Sequence, residues 1–187
     1  MNPDIFLRDI KKQFWYYKRL TEQAIDQLTE EEFFYKAHYK SNSIAIIVKH
    51  ISGNLLSRFT DFKTSDGEKE WRHRDQEFIL DSDVKSDYMD KWHRSWTMLR
   101  EALDSVESRQ LDDKVIIRNH EHNISTAILR SVTHIASHVG QILYCAKAIK
   151  GDEWESLSIP VGASEAFNQI AFSKDQVEGH YTDLLSK

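Results

Sequence analysis

Cysteine, proline and glycine are all scarce in this sequence, and each shortage closes off a class of protein. The single cysteine, Cys145, excludes an internal disulfide and makes the cytoplasm the default compartment. Two prolines and six glycines among 187 residues leave few breakers, which favours long helices over many short strands. No purely aliphatic run exceeds "IAIIV", far short of a membrane span. The N-terminus, "MNPDIFLRDIKKQF", has early acidic residues and no uninterrupted apolar core, so it does not read as a signal peptide. Lysines and arginines form no cluster along the chain and the formal net charge is −5, so nucleic acid is not an expected partner.

What is present is apolar material in helical periodicity. Hydrophobic residues make up 40% and aromatics 11%, enough for one globular domain over residues 1–187. Asn2 and Pro3 read as the cap and first turn of a helix, with Phe6, Ile10, Phe14, Tyr17, Ala24 and Leu28 recurring to about residue 28. Thr29 and Glu32 form a capping-box pattern at "LTEEEFF". A second long helix is predicted from about Ser43 to Phe62, with Ile44, Ile47, Val48, Ile51 and Leu55 on one face. A third spans roughly 86–107 and buries Tyr88, Trp92, Trp96, Leu99, Leu103 and Val106. "KVIIRNHEHNIS" breaks this period and reads as a small hairpin turning near His120. The fourth helix runs from about Ser125 to Lys150, ahead of Gly151, and residues 151–187 read as a tail wrapping the body. The fold class is therefore all-α, an antiparallel four-helix bundle with a small β-hairpin before the last long helix.

On that last helix, "RSVTHIASHVGQILY" places His134 and His138 one turn apart on the same face. They lie on a line with Ser131, Gln141 and Cys145, flanking the apolar stripe of Ile128, Val132, Ile135, Val139, Ile142 and Ala146. Two stacked imidazoles suit a metal ion, but nine histidines in a chain of this length give about 0.4 such pairs by chance. An open catalytic site needs a third protein ligand. His50 is the best candidate, because it borders Ile47 and Ile51 on a helix that a bundle can set opposite the fourth. The remaining histidines, at 38, 73, 93, 120, 122 and 180, fall in loops or on polar helix sides and read as solvated.

His50 together with "HIASHVGQI" resembles the DinB-like superfamily, also called the bacillithiol S-transferase-like or YfiT-like bundle proteins. "NSIAIIVKHISGNLLSRFTDF", "TSDGEKEWRHRDQEF", "HIASHVGQILY" and "WESLSIPVGASEAFN" resemble the signature segments of an uncharacterised bacterial branch, in order over about residues 40–168. The resemblance implies a four-helix bundle in which His50, His134 and His138 hold one divalent metal, zinc or nickel by ligand type. It also implies a metal-dependent transferase or hydrolase, with a low-molecular-weight thiol such as bacillithiol as co-substrate, and a homodimer. One departure stands out: Val161 occupies the place after Ile-Pro where the branch often has arginine, so no anion-binding role carries over to the tail.

Other residues admit two readings each. Asn54, one turn past His50, is either a hydrogen-bond partner of the ligand or a solvated flank residue. Arg130 either meets an anionic group at a pocket mouth or forms a structural salt bridge. Cys145 lies two turns past His138, too far to share its metal, and reads as a small buried residue. Trp71, Arg72, Arg74 and Asp75 form a loop that lines a pocket, meets a partner copy or is simply solvated. No Asp or Glu falls on the histidine stripe of either helix, so no general base is apparent; this weighs against hydrolysis more than against thiol transfer. The alternative from another class is a non-catalytic, metal-binding or dimerising bundle, or a small-ligand-binding module. A small-molecule substrate is the expected partner on the first reading, with no nucleic acid and no membrane.

Overall fold

Helix starts are written into the side chains that cap them. In the computed structural model, which describes residues 2–173, 175–176 and 178–185, Asn2 Oδ1 accepts from the Asp4 N–H at 2.9 Å and opens α1 (Pro3–Asp26) with proline in the first turn. Thr29 and Glu32 close the capping box of the short α2 (Glu30–Phe34) at 3.2 and 2.8 Å. Ser43 caps α3 (Ile44–Phe59), α4 spans Lys85–Asp104, and α5 runs Ile124–Lys150 to Gly151 at φ +54°. Within the tail, read from the sequence only as wrapping the body, the nine-residue helix α6 (Ser164–Phe172) forms.

The strands β1 (Lys114–Ile117) and β2 (His120–Asn123) make the expected hairpin, antiparallel with Ile117 opposite His120. Its two-residue turn is Arg118–Asn119, slightly ahead of the expected position, with both residues at positive φ (53° and 58°). An arginine in that conformation is costly, by roughly 1 kcal/mol. The Asp66 carboxylate offsets it by accepting from the Arg118 and Asn119 N–H groups at 2.8 and 2.7 Å.

The predicted stripes are the core. Ile44, Ile47, Val48, Ile51 and Leu55 of α3, Tyr88, Trp92, Trp96, Leu99 and Leu103 of α4, and Ile128, Val132, Ile135, Val139, Ile142 and Ala146 of α5 are all buried. Phe14 of α1 meets Trp96 edge-on, and the Trp92 indole N–H donates to Glu22 at 3.0 Å. Lys11 pairs with Asp104 at the other end, so α1 and α4 run antiparallel. The fold is thus an all-α bundle with a small hairpin. The antiparallel order expected from the sequence does not hold for every pair, because α3 and α4 run parallel: Lys49 of α3 pairs with Asp81 ahead of α4 at 3.0 Å, and Lys63 donates to the Ser105 carbonyl past its end at 2.8 Å. Parallel neighbours need a connection that travels back along the helix, and residues 60–84 supply it.

Four of the five tryptophans lie in or against the core. Trp92 and Trp96 are wholly buried, Trp15 and Trp154 pack on the core, and Trp71 stands exposed. Described parts of the tail return along α1, with Glu155 and Gln27 exchanging hydrogen bonds at 2.9 and 3.1 Å and Lys12 pairing with Asp183 at 2.7 Å. Among the described residues no helix is long and apolar enough to cross a membrane.

Candidate metal centre

α3 and α5 bring His50, His134 and His138 together. One nitrogen from each lies within 4.8 Å of the others, close enough to share one ion. Ring centroids are 5.3 Å apart for His50 and His134, 4.8 Å for His50 and His138, and 4.6 Å for His134 and His138. The other six histidines do not join this group among the described residues.

The donor chemistry fits a divalent ion. His50 Nδ1 lies 2.7 Å from Glu77 Oε2. An ionised carboxylate only accepts, so Nδ1 carries a proton, and in the neutral ring the lone pair is then on Nε2. His138 Nδ1 faces the Gln141 Oε1 amide oxygen at 3.2 Å, which leaves its Nε2 in the same state. His134 Nε2 is buried without a hydrogen-bond partner. A buried polar atom of that kind costs about 1–3 kcal/mol unless something completes it, and a metal ion is one such completion. Burial, reinforced by His138, His50, Arg130 and Arg72, lowers the His134 pKa to about 4. Burial and His50 also lower His138, against an opposing hydrogen bond donated to Gln141. His134 and His138 are therefore neutral near pH 7, the state that binds metal.

Glu77 is the residue that reading the helix stripes misses. It comes from neither helix but from the 3₁₀ turn Arg74–Phe78 in the crossover between α3 and α4. That turn is clamped to α3: Lys49 donates to the Gln76 and Ile79 carbonyls at 2.8 and 2.6 Å, and the Phe78 ring lies 4.9 Å from His50. Arg72 grips the same carboxylate twice, Nε to Oε1 at 2.8 Å and Nη2 to Oε2 at 3.0 Å. Burial pushes the Glu77 pKa up, but the bonds from His50 and Arg72 outweigh it and hold the carboxyl below its usual range. With both oxygens engaged, Glu77 orients His50 and is not a free base.

One sequence signal did mark this contact. Gly53 stands inside α3, where glycine is unfavourable, and a Cβ there would come within 2.8 Å of Glu77 Cδ and closer still to Oε1. Asn54, read either as a hydrogen-bond partner of His50 or as a flank residue, lines the adjoining cavity and makes no hydrogen bond to the imidazole among the described residues; Glu77 holds that place.

The cavity beside the histidines measures about 370 Å³ and is lined by His50, His134, Asn54 and Ser131 together with arginines 58, 72, 74, 118 and 130. Arg72 and Arg74 of the expected loop thus line a pocket, while Trp71 and Asp75 are exposed. Arg58 and Arg118 join them from places the linear sequence does not connect. Cys145 is half-buried, its thiol pKa raised by burial, and lies outside the histidine group. Val161 is fully exposed.

Comparison with known proteins gives a single line of kinship: no curated protein and no solved structure matches the chain. A family model described as "Protein of unknown function (DUF1572)" matches residues 3–163, a span that contains the three histidines, Glu77 and all five cavity arginines, and the chain belongs to that family.

Proposed function

We propose that this chain is a DinB-like bundle protein that transfers a low-molecular-weight thiol, bacillithiol or a similar one, to a small electrophile, using a zinc or nickel ion held by His50, His134 and His138. The observation that carries the reading is the convergence of three imidazoles, one nitrogen of each within 4.8 Å of the others, in a group where His134 Nε2 is buried and unpartnered. A divalent ion on three neutral imidazoles keeps its full charge and an open position, where it makes a bound thiol or water more acidic.

The chain's own residues favour thiol over water. Among the described residues no carboxylate lines the cavity, and Glu77 is committed to His50 and Arg72. Attack by water calls for a group to take its proton, whereas a thiol needs only a larger thiolate fraction. His50, oriented by Glu77, and His134 border the cavity, so a substrate there meets the reacting position directly.

The test is to incubate metal-loaded protein with bacillithiol, and with other cellular thiols, and a chromogenic electrophile. Conjugation should exceed that of the metal-free protein and of His138→Ala by more than tenfold. Equal rates in all three, across several thiols, reject the transferase and leave a metal-binding module.

A further inference from the structure

The chain carries ten arginines and an overall charge of −5, yet five of those arginines, and no lysine among the described residues, line the cavity beside the histidines. They arrive from separate pieces of the fold: Arg58 from α3, Arg72 and Arg74 from the crossover, Arg118 from the hairpin turn and Arg130 from α5. The hairpin places its arginine at positive φ and anchors that turn through Asp66, so Arg118 is positioned by the backbone.

Their mutual neutralisation is incomplete. A single oxygen, Glu68 Oε2, serves Arg58 at 2.9 Å, Arg118 at 3.0 Å and Arg72 at 3.5 Å. Glu77 is used by Arg72 and His50. Among the described residues Arg74 pairs with Asp75 alone, at 3.9 Å, and lies over the Phe78 ring. Arg130, exposed and one turn before His134, has no hydrogen bond or ion pair among the described residues. Counting Glu68, Glu77, Asp75 and Asp66 against the five guanidiniums still leaves a positive surplus, and none of those carboxylates lines the cavity. Like charges gathered in a concave site repel, and the arrangement is relieved when an oxyanion enters. Guanidinium forks are also the side chains that match carboxylate and phosphate in geometry.

We propose that this cavity binds a small molecule through an anionic group, a carboxylate or a phosphate, held chiefly by Arg130 and Arg74 with Arg118 at the rim. At about 370 Å³ the space suits a compact metabolite rather than a polymer. The proposal gives the substrate class for the metal-dependent reading above and rests on it for the chemistry, but anion binding itself needs only the arginines.

The experiment titrates the metal-loaded full chain with inorganic phosphate, succinate and uncharged succinamide by calorimetry. Phosphate or succinate should bind at least tenfold more tightly than succinamide, and the tighter of the two names the anionic group. Arg130→Gln, an exposed and unpartnered position, should weaken that anion at least tenfold with metal content unchanged, and Arg130→Lys should recover part of the loss. The same titration on His134→Ala, stripped of metal, separates the two readings. Anion binding that persists there and depends on Arg130 upholds the arginine site even if no metal function exists. Succinamide binding as well as succinate, or an anion affinity that ignores Arg130→Gln and vanishes with the metal, overturns the proposal.

Discussion

Replacing Glu77 by glutamine isolates what the crossover contributes to the histidine centre. The substitution keeps the side-chain volume over Gly53 and one acceptor oxygen, but removes the charge and puts an NH₂ where a donor already points. Three contacts are affected: His50 Nδ1 at 2.7 Å and the two Arg72 bonds at 2.8 and 3.0 Å. The Arg72 side chain is 2% exposed, so its charge cannot escape to water. Removing the partner of a buried charge costs about 3–5 kcal/mol. Glu68 remains 3.5 Å from Arg72 and the glutamine oxygen retains one bond; the expected loss is therefore about 2–3 kcal/mol, read as a lower urea midpoint at unchanged slope. Metal affinity should fall further than stability alone explains, by about 10–100-fold, because His50 loses the acceptor that fixes its ring and tautomer. Chelator competition on folded protein measures this, with Arg72→Met as the control that also loses the ion pair but keeps the His50–Glu77 bond. If Glu77→Gln is destabilised yet holds metal within threefold of the wild type, while Arg72→Met does the same, Glu77 has no orienting role and the account of His50 is wrong.

Gly53→Ala should destabilise by about 1 kcal/mol or more despite the better helix propensity of alanine, because its methyl collides with Glu77, whereas Gly140→Ala, with open space around it, should stabilise α5 by about 0.5–1 kcal/mol; thermal melts of the two variants should move in opposite directions. In the metal-free protein His134→Leu should raise stability by about 1–2 kcal/mol while abolishing metal binding, since it removes a buried nitrogen with no partner; a lowered urea midpoint would contradict this. Because the folded His134 pKa lies near 4 against 6.5 in the unfolded chain, the unfolded state takes the proton first on acidification. That stability is complete above pH 6.5 and lost as pH falls toward about 4, by about 1–2 kcal/mol once screening at the cavity mouth is allowed for, and urea midpoints of His134→Leu should show a correspondingly shallower pH slope.

The helices were legible because burial imposes a period. The stripes of α3, α4 and α5 sit where an apolar face must face other helices, so Ile51, Trp96 and Ile135 declare themselves without a structure. His134 and His138 were legible for the same reason, being one turn apart on one helix, and His50 through its place beside Ile47 and Ile51. Contacts made across the fold left no such trace. Glu77 reaches His50 from 27 residues away, through a turn whose position depends on Lys49 clamping two carbonyls. Arg58, Arg74, Arg118 and Arg130 are scattered in sequence and show no basic cluster; only the folded chain gathers them. α6 stayed hidden because it buries no side chain and so carries no stripe to read.

The parallel pairing of α3 and α4 ties these observations together. A bundle joined only by tight turns would have no segment crossing its side, and both histidine-bearing helices would face solvent or one another there. The return path over residues 60–84 places a stretch of polar chain across α3 at the level of His50. That stretch supplies what the helices cannot: the carboxylate that fixes His50, the guanidinium that keeps that carboxylate ionised, and Arg74 at the cavity. Asp66, in the same stretch, then fastens the hairpin turn and so brings Arg118 to the rim. Ligand nitrogens thus come from rigid helices, where a fixed separation matters, while orientation and charge come from the crossover. Substitutions in the crossover should accordingly change metal affinity and anion preference while the helical core, measured by far-ultraviolet circular dichroism, stays intact; substitutions of Trp92 or Trp96, both 0% exposed, should do the reverse and unfold the bundle before they alter its selectivity.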